Sequence, residues 1–169
     1  MPFYDLAHQT ALHGHLWKQL GFTKIGIAGS GVKLSLPGSK GIEGSICVGI
    51  AGEALNASAK QSPKAVMITD SRIDRRLLDT LKAKNVILCI SLDKILGSAG
   101  LRRSSAIYLT SKLVQYAIKR GIKTTFVSFA GSEEMLCSPV QLIEIAKLLG
   151  ADEQYARKAI SETNFELVA

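Results

Sequence analysis

Short apolar runs, each followed by a stretch of amphipathic or polar spacing, recur along this chain and restrict the folds open to it. Strands that alternate with helical stretches form βα units around a parallel sheet, and a strand that reads as a continuous apolar run is covered on both faces. Residues 2–6, 22–28, 45–51, 65–69, 86–91 and 124–129 read as strands. From Gln9 to Leu20 the spacing is helical, with Leu12, Leu16 and Leu20 at i, i+4 and i+8, and Gly21 stands where such a helix stops. Ser71 followed by Asp74 predicts a helix start, with Ile73, Leu77, Leu78 and Leu81 as its apolar stripe. Ser104 or Ser105 is expected to cap a long helix running to Arg120, ended by Gly121. Ser138-Pro139-Val140-Gln141 combines a capping box with proline at the first helical position, opening a helix that ends at Gly150. Asp152 caps a shorter helix through Ser161.

About six strands and five helices result, fewer than the eight βα units of a full barrel. Residues 26–52 hold 8 of the 15 glycines and little helical pattern. An irregular loop is expected there, with Val32 to Leu36 either a short strand or part of it. The expectation is one α/β domain over residues 1–169, TIM-barrel-like with parallel strands and shortened or incomplete. At 169 residues and 47% apolar content the chain can bury a core without staples. No apolar run reaches the ~20 residues of a spanning helix, and the start lacks the basic-then-apolar order of a signal peptide, which points to the cytoplasm. Cys47, Cys89 and Cys137 are scattered through apolar stretches and read as buried thiols.

Charge is distributed unevenly. Residues 60–123 carry 14 basic and 4 acidic side chains, whereas residues 124–169 carry 3 basic and 7 acidic. A cationic block attracts polyanions, nucleic acid first. Arg72, Arg75 and Arg76 are placed on one helix, with Arg72 and Arg76 at i, i+4. Arg102 and Arg103 precede the long helix, and Lys119, Arg120 and Lys123 bracket its far end. These groups are expected to gather on one surface. Arginine offers a planar fork to phosphate oxygens, and with few aromatics interleaved, backbone contact to a structured nucleic acid is favoured over base stacking.

Other chemistry is weakly signalled. His13-Gly14-His15, with His8 and Asp5 nearby, has the H-x-H spacing of strand-borne metal ligands. Here it falls in a helical pattern, where residues i and i+2 diverge by about 200°. Gly26 to Gly31 follows a strand but lacks the third glycine of G-x-G-x-x-G, and Leu34 takes that position counted from Gly29. No G-x-S-x-G occurs. A metal-dependent phosphoesterase using Asp5, His13 and His15, and a small-molecule enzyme with its site near Gly29–Gly38, are the alternatives to a nucleic-acid binder.

A succession of segments is shared with a known family. Phe3-Tyr4-Asp5-Leu6 opens the chain; Leu101-Arg102-Arg103, the helix to Arg120 and Lys123-Thr124-Thr125-Phe126-Val127-Ser128-Phe129-Ala130 follow later. Ser138-Pro139-Val140-Gln141-Leu142, Leu148-Leu149-Gly150 and Ala156 to Ser161 then come in the same order. This order resembles the archaeal ribonuclease P protein component 3 family, related to eukaryotic ribonuclease P and MRP subunits, over residues 64–169 and thinly over 8–63. The resemblance implies a TIM-type barrel without a metal site, serving a ribonucleoprotein endoribonuclease that removes the 5′ leader of precursor tRNA. It also implies that magnesium sits on the catalytic RNA, that the protein binds no cofactor and supplies no catalytic residue, and that its partners are this RNA, precursor tRNA and a ferredoxin-like subunit, component 2 of the archaeal set. Arg103 matches a basic residue that opens the family's long helix, Ser128 and Ala130 match the end of its last strand, and Pro139 matches the following helix start. Cys137 stands where the family commonly has arginine, and Phe129 where it has a small residue. The RNA-binding set implied by charge and resemblance together is Arg72, Arg75, Arg76, Arg102, Arg103, Lys119, Arg120, Lys123 and Ser128.

Overall fold

The computed structural model describes residues 2, 4–7, 16–27, 32–39 and 43–169. Among them the chain runs β1 (Tyr4–Ala7), α1 (Leu16–Gln19), β2 (Lys24–Ile27), β3 (Leu34–Ser35), β4 (Ile46–Gly49), α2 (Glu53–Ala59) and β5 (Ala65–Ile68). It continues with α3 (Arg75–Lys84), β6 (Ile87–Ser91), α4 (Asp93–Leu96), α5 (Gly100–Lys119) and β7 (Thr124–Val127). A 3-10 turn (Glu133–Met135), α6 (Pro139–Leu148), α7 (Glu153–Lys158), a π-helical turn (Ala159–Thr163) and α8 (Asn164–Val168) complete it. No helix of the described residues is long and apolar enough to cross a membrane.

Every strand pair is parallel. β1 pairs with β2, and β3 to β7 pair in chain order. Just past β7 the Phe129 N–H donates to the Leu6 carbonyl at 2.8 Å, and the Ser128 N–H donates to the Asp5 carboxylate at 2.8 Å. These bonds bring β1 beside β7, so the spatial order is β2-β1-β7-β6-β5-β4-β3. This is a TIM-barrel-like α/β fold with seven described strands where a full barrel has eight. The short strand β3 lies within the span Val32 to Leu36.

Alternation along the strands builds two cores. Ala65 and Met67 of β5, and Ile87 and Cys89 of β6, face inward with Leu6, Ile46 and Val127. Val66, Ile68, Leu88 and Ile90 face outward onto Leu77, Leu81, Leu113 and Leu142 of the surrounding helices. Both faces are dry, which is why the strands are continuous apolar runs. Cys47, Cys89 and Cys137 are buried and unbridged.

The interior would stand open at the amino ends of the strands but for α8. Leu167 and Val168 join the inner cluster. Gly26 of β2 leaves room for this plug: a Cβ there would lie 2.6 Å from Val168 Cγ1. The last carbonyls of α8 accept from lysines at the feet of the strands, Val168 O from Lys24 Nζ at 2.6 Å and Leu167 O from Lys64 Nζ at 3.5 Å. Cations there suit the negative end of the helix dipole. Asn164 fixes the entry to α8, its amide donating to Phe126 O at 2.9 Å and accepting from Thr125 Oγ1 at 2.5 Å.

Several helix boundaries differ from the sequence reading. The cap of α3 is Asp74, whose Oδ1 accepts from Leu77 N at 3.2 Å, and not Ser71. Ser71 adopts φ +54 and its hydroxyl is 3.1 Å from Thr110 Oγ1. Arg72 therefore lies in the loop before α3, and the expected i, i+4 pair with Arg76 does not form. α5 begins at Gly100, four residues earlier than Ser104, so Arg102 and Arg103 sit inside its first turn. α2 and α4 carried no sequence signal strong enough to be anticipated, and the last helix continues past Ser161 through the π turn into α8. The helix over Gln9 to Leu20 is seen as α1, its earlier part lying outside the described residues. The capping box at Ser138 and Gln141 and the stop at Gly121, with φ +69, form as read.

Asn164→Ala strands the Phe126 carbonyl in a dry core and leaves Thr125 Oγ1 only its bond to Ala159 O at 2.8 Å, so unfolding in urea should show a loss of about 2 kcal/mol. Ser138→Ala, removing one surface cap, should cost about 1 kcal/mol. A smaller loss for Asn164→Ala than for Ser138→Ala would contradict the assignment of α8 as an integral plug.

Candidate nucleic-acid interface

In an α/β barrel each helix starts at the carboxyl end of the sheet and finishes at the amino end, and binding sites form at the carboxyl end. The loop after β5 and the first turn of α3 hold Arg72, Arg75 and Arg76, all exposed. The first turn of α5, after β6, holds Arg102 and Arg103, also exposed. These five arginines share the carboxyl end of neighbouring units. A polar cleft of about 200 Å³ between β5 and β6 is lined by Asp70, Ser71, Ser91, Asp93 and Lys94. An adjoining hollow, lined by the same Asp93 and Lys94 with Ser98 and Arg102, leads from it to the start of α5.

Two of the five are oriented locally. Arg72 Nε donates to the Asp70 carboxylate in a short ion pair. Partial burial works to raise the Asp70 carboxyl, but Arg72 and the Ala51 N–H outweigh it and hold the group below the usual carboxylate range. Arg103 Nε donates to Ser98 O at 2.6 Å. Arg75, Arg76 and Arg102 make no ion pair among the described residues.

The placement runs against helix electrostatics. The amino end of a helix carries partial positive charge, so each cation in a first turn costs roughly 0.3–1 kcal/mol. Neither α3 nor α5 has an acid in its first turn. α3 has Asp74 at its cap as an offset; α5 has Ala99, which offers no side-chain cap. The early part of α5 also exposes Leu101 (88%), with Tyr108 and Leu109 further along and Lys112 Nζ 4.5 Å from the Tyr108 ring centre.

The remaining members of the sequence-derived set lie elsewhere. Lys119, Arg120 and Lys123 sit at the opposite, amino end, separated from Arg102 by nearly the whole length of α5, about 25 Å at 1.5 Å per residue. Arg120 is 3.7 Å from Asp79 and lies over the Tyr116 ring, and Lys123 Nζ is 2.6 Å from each Glu166 carboxylate oxygen. The nine residues therefore do not form one surface. Ser128 is fully buried, and its hydroxyl donates to Asp5 in a short hydrogen bond, so it offers nothing to an external phosphate. Asp70, Ser98 and Lys94, which shape the carboxyl-end site, were not singled out by sequence; the only signal was their position just after apolar strands.

Asp5 is the one member of the possible metal set that is described; His8, His13 and His15 lie outside the described residues, as do Ala28 to Gly31 of the glycine-rich segment. Its carboxylate accepts from Leu6 N and Ser128 N, each at 2.8 Å, as well as from Ser128 Oγ. Among the described residues no group of three or more His, Cys, Asp or Glu side chains is arranged to hold a metal ion. Burial, with a smaller contribution from the Asp5 charge, pushes the Cys137 thiol up to about 11, and Cys89 is raised in the same way.

The architecture defines an α/β protein of the TIM-barrel-like class. A. niger ochratoxinase, known from its crystal structure, is similar in fold: TM-score 0.55, 18% identity, with the match covering 73% of this chain and 30% of that one. No family model matches the chain, and no curated protein does. At this identity the likeness concerns the fold alone, and this chain spans about a third of the length of that neighbour.

Burial pushes the Asp5 carboxyl up to about 7 although its three hydrogen bonds favour ionisation. A carboxyl raised in the folded state holds its proton more tightly there than in the unfolded chain. The stability it contributes is complete below about pH 4 and is lost as pH rises to 7, a penalty of up to about 4 kcal/mol. Asn in its place keeps an acceptor for both N–H groups and an amide for Ser128 Oγ without the charge. Asp5→Asn should therefore gain on wild type as pH is raised from 4 to 7 in urea titrations. A difference that does not vary with pH would contradict this account of Asp5.

Proposed function

We propose that this protein is the RNA-binding subunit of a cytoplasmic, ribonuclease P-type ribonucleoprotein, engaging the catalytic RNA through the arginines at the carboxyl end of its barrel. The observation that carries the reading is the placement of Arg75, Arg76, Arg102 and Arg103 in the first turns of two neighbouring helices, with no acid in either turn. That arrangement costs folding energy, and sites that break a local rule without structural return are where function is expected. A phosphate backbone relieves the cost twice, by neutralising the guanidinium groups and by meeting the positive ends of α3 and α5. Arg72, held by Asp70, extends the row. The resemblance in segment order to ribonuclease P component 3 proteins supports the choice of RNA and of reaction.

On this reading the chain contributes no reacting group. It screens repulsion between phosphates so that the RNA keeps its active fold, while the RNA binds magnesium and cleaves the 5′ leader of precursor tRNA. A ferredoxin-like subunit completes the assembly. No observation favours a phosphoesterase built on Asp5, His13 and His15, since the Asp5 carboxylate is already taken by Ser128.

Filter binding to ribonuclease P RNA across a salt series tests the reading. Each phosphate contact adds about −0.7 to −0.9 to the slope of log K against log salt, so the double variant Arg102→Ala, Arg103→Ala should flatten that slope by roughly 1.5 and weaken binding at low salt. Lys147→Ala, in the outer helix α6, should change neither. Equal effects from the two variants, or a slope near zero for wild type, would remove the basis for the proposal.

A further inference from the structure

At the amino end, opposite the arginine row, a cleft of about 380 Å³ opens between the ends of α3 and α5 and the segment from α7 through the π turn. This volume lies within the range of small-molecule sites. Its floor is apolar, made by Leu81, Ile118, Ile122 and Ala159, and its rim carries Lys82, Lys123 and Lys158 with no carboxylate among the lining residues. Lys82 makes no ion pair; Lys123 is held by Glu166, and Lys158 lies 3.8 Å from Glu162. Two further lining groups are open to a ligand: the Asn85 side-chain amide and the Thr163 hydroxyl form no hydrogen bond among the described residues. Thr163 and Ala159 both belong to the π turn, a form of helix frequent at functional sites. Tyr155 keeps the cleft in shape, its hydroxyl accepting from Thr124 N at 3.1 Å.

We propose that this cleft binds a nucleoside monophosphate, either free or as an unpaired nucleotide of an RNA strand. Lys82, the rim lysine without a carboxylate partner, calls for an anionic group, the floor for a flat apolar body, and the amide and hydroxyl for a body whose edge both donates and accepts hydrogen bonds. A nucleotide has all three parts: its phosphate meets Lys82 at the rim with Lys123 and Lys158 beside it, its base covers Leu81, Ile118 and Ile122, and the base edge reaches Asn85 and Thr163. An inorganic anion would leave the floor and the two polar groups unused, and an uncharged nucleoside would leave Lys82 unused. The site is independent of the carboxyl-end arginines.

Calorimetric titration with adenosine 5′-monophosphate tests the assignment, with adenosine and inorganic phosphate as partial ligands. The nucleotide should bind saturably, and each partial ligand about tenfold or more weakly, the loss expected when a charge-assisted hydrogen bond or the base contact is removed. Lys82→Ala and Asn85→Gly, both at exposed positions and the second compatible with the left-handed backbone at residue 85, should each weaken the nucleotide about tenfold while melting like wild type. Lys147→Ala should bind it as wild type does. Oligoadenylate binding more tightly than the mononucleotide, and losing affinity in Lys82→Ala, identifies the RNA source; equal affinities identify the free nucleotide. Absence of nucleotide binding, phosphate binding as well as the nucleotide, or folded Lys82→Ala and Asn85→Gly variants with unchanged affinity would each overturn the proposal.

Discussion

A parallel sheet with both faces dry has to be covered twice, and the rest of this molecule follows from that constraint. Outside, α3, α5 and α6 cover Val66, Leu88 and Ile90. Inside, the strands cover one another only if the sheet curls until β1 meets β7. The meeting is made by two backbone N–H groups, of Ser128 and Phe129, that reach across to Asp5 and Leu6. With the amino mouth of the curled sheet still open, the chain folds its own last helix into it, and Lys24 and Lys64 hold that helix by its carbonyls. The interior is thereby a packed core and leaves the outer ends of the βα units as the places for binding.

Curling also decides where charge goes. A helix that follows a strand points its amino end at the carboxyl end of the barrel, so basic residues at helix starts collect there and those at helix ends collect on the other side. Arg75, Arg76, Arg102 and Arg103 become one row on this principle, and Lys82, Lys119, Arg120 and Lys123 another. The two rows differ in kind. The first stands against the dipoles of its helices and has few acids to satisfy it. The second sits where the dipoles welcome it, shares Asp79 and Glu166, and rims an apolar cleft.

Much of the fold was legible because its signals are local. The runs Ala65–Ile68, Ile87–Ser91 and Thr124–Val127 are apolar enough to be covered on both faces, and the box at Ser138 and Gln141 encodes a helix start within four residues. The start of α3 was misread because Ser71, a good cap by type, turns into a left-handed conformation to meet Thr110 39 residues away, leaving the cap to Asp74. The start of α5 has no side-chain cap to read. One cationic surface was expected because the basic block is continuous in sequence, yet residues 60–123 span two whole βα units and so must supply both ends of the barrel. Asp5 looked like a metal ligand because its partner, Ser128, is 123 residues distant. Chain-distant pairings of this sort also built the amino-end cleft, whose lining runs from Leu81 to Thr163 and leaves no linear trace.

The central claim is that a polynucleotide lands on the arginines at the carboxyl end. Amide hydrogen exchange with and without ribonuclease P RNA tests this most directly, because it reports which segments the RNA covers. The account predicts slowed exchange over residues 69–78 and 98–106, at the starts of α3 and α5. No change in either segment in the presence of saturating RNA, or protection limited to the outer helices α6 and α7, would contradict it.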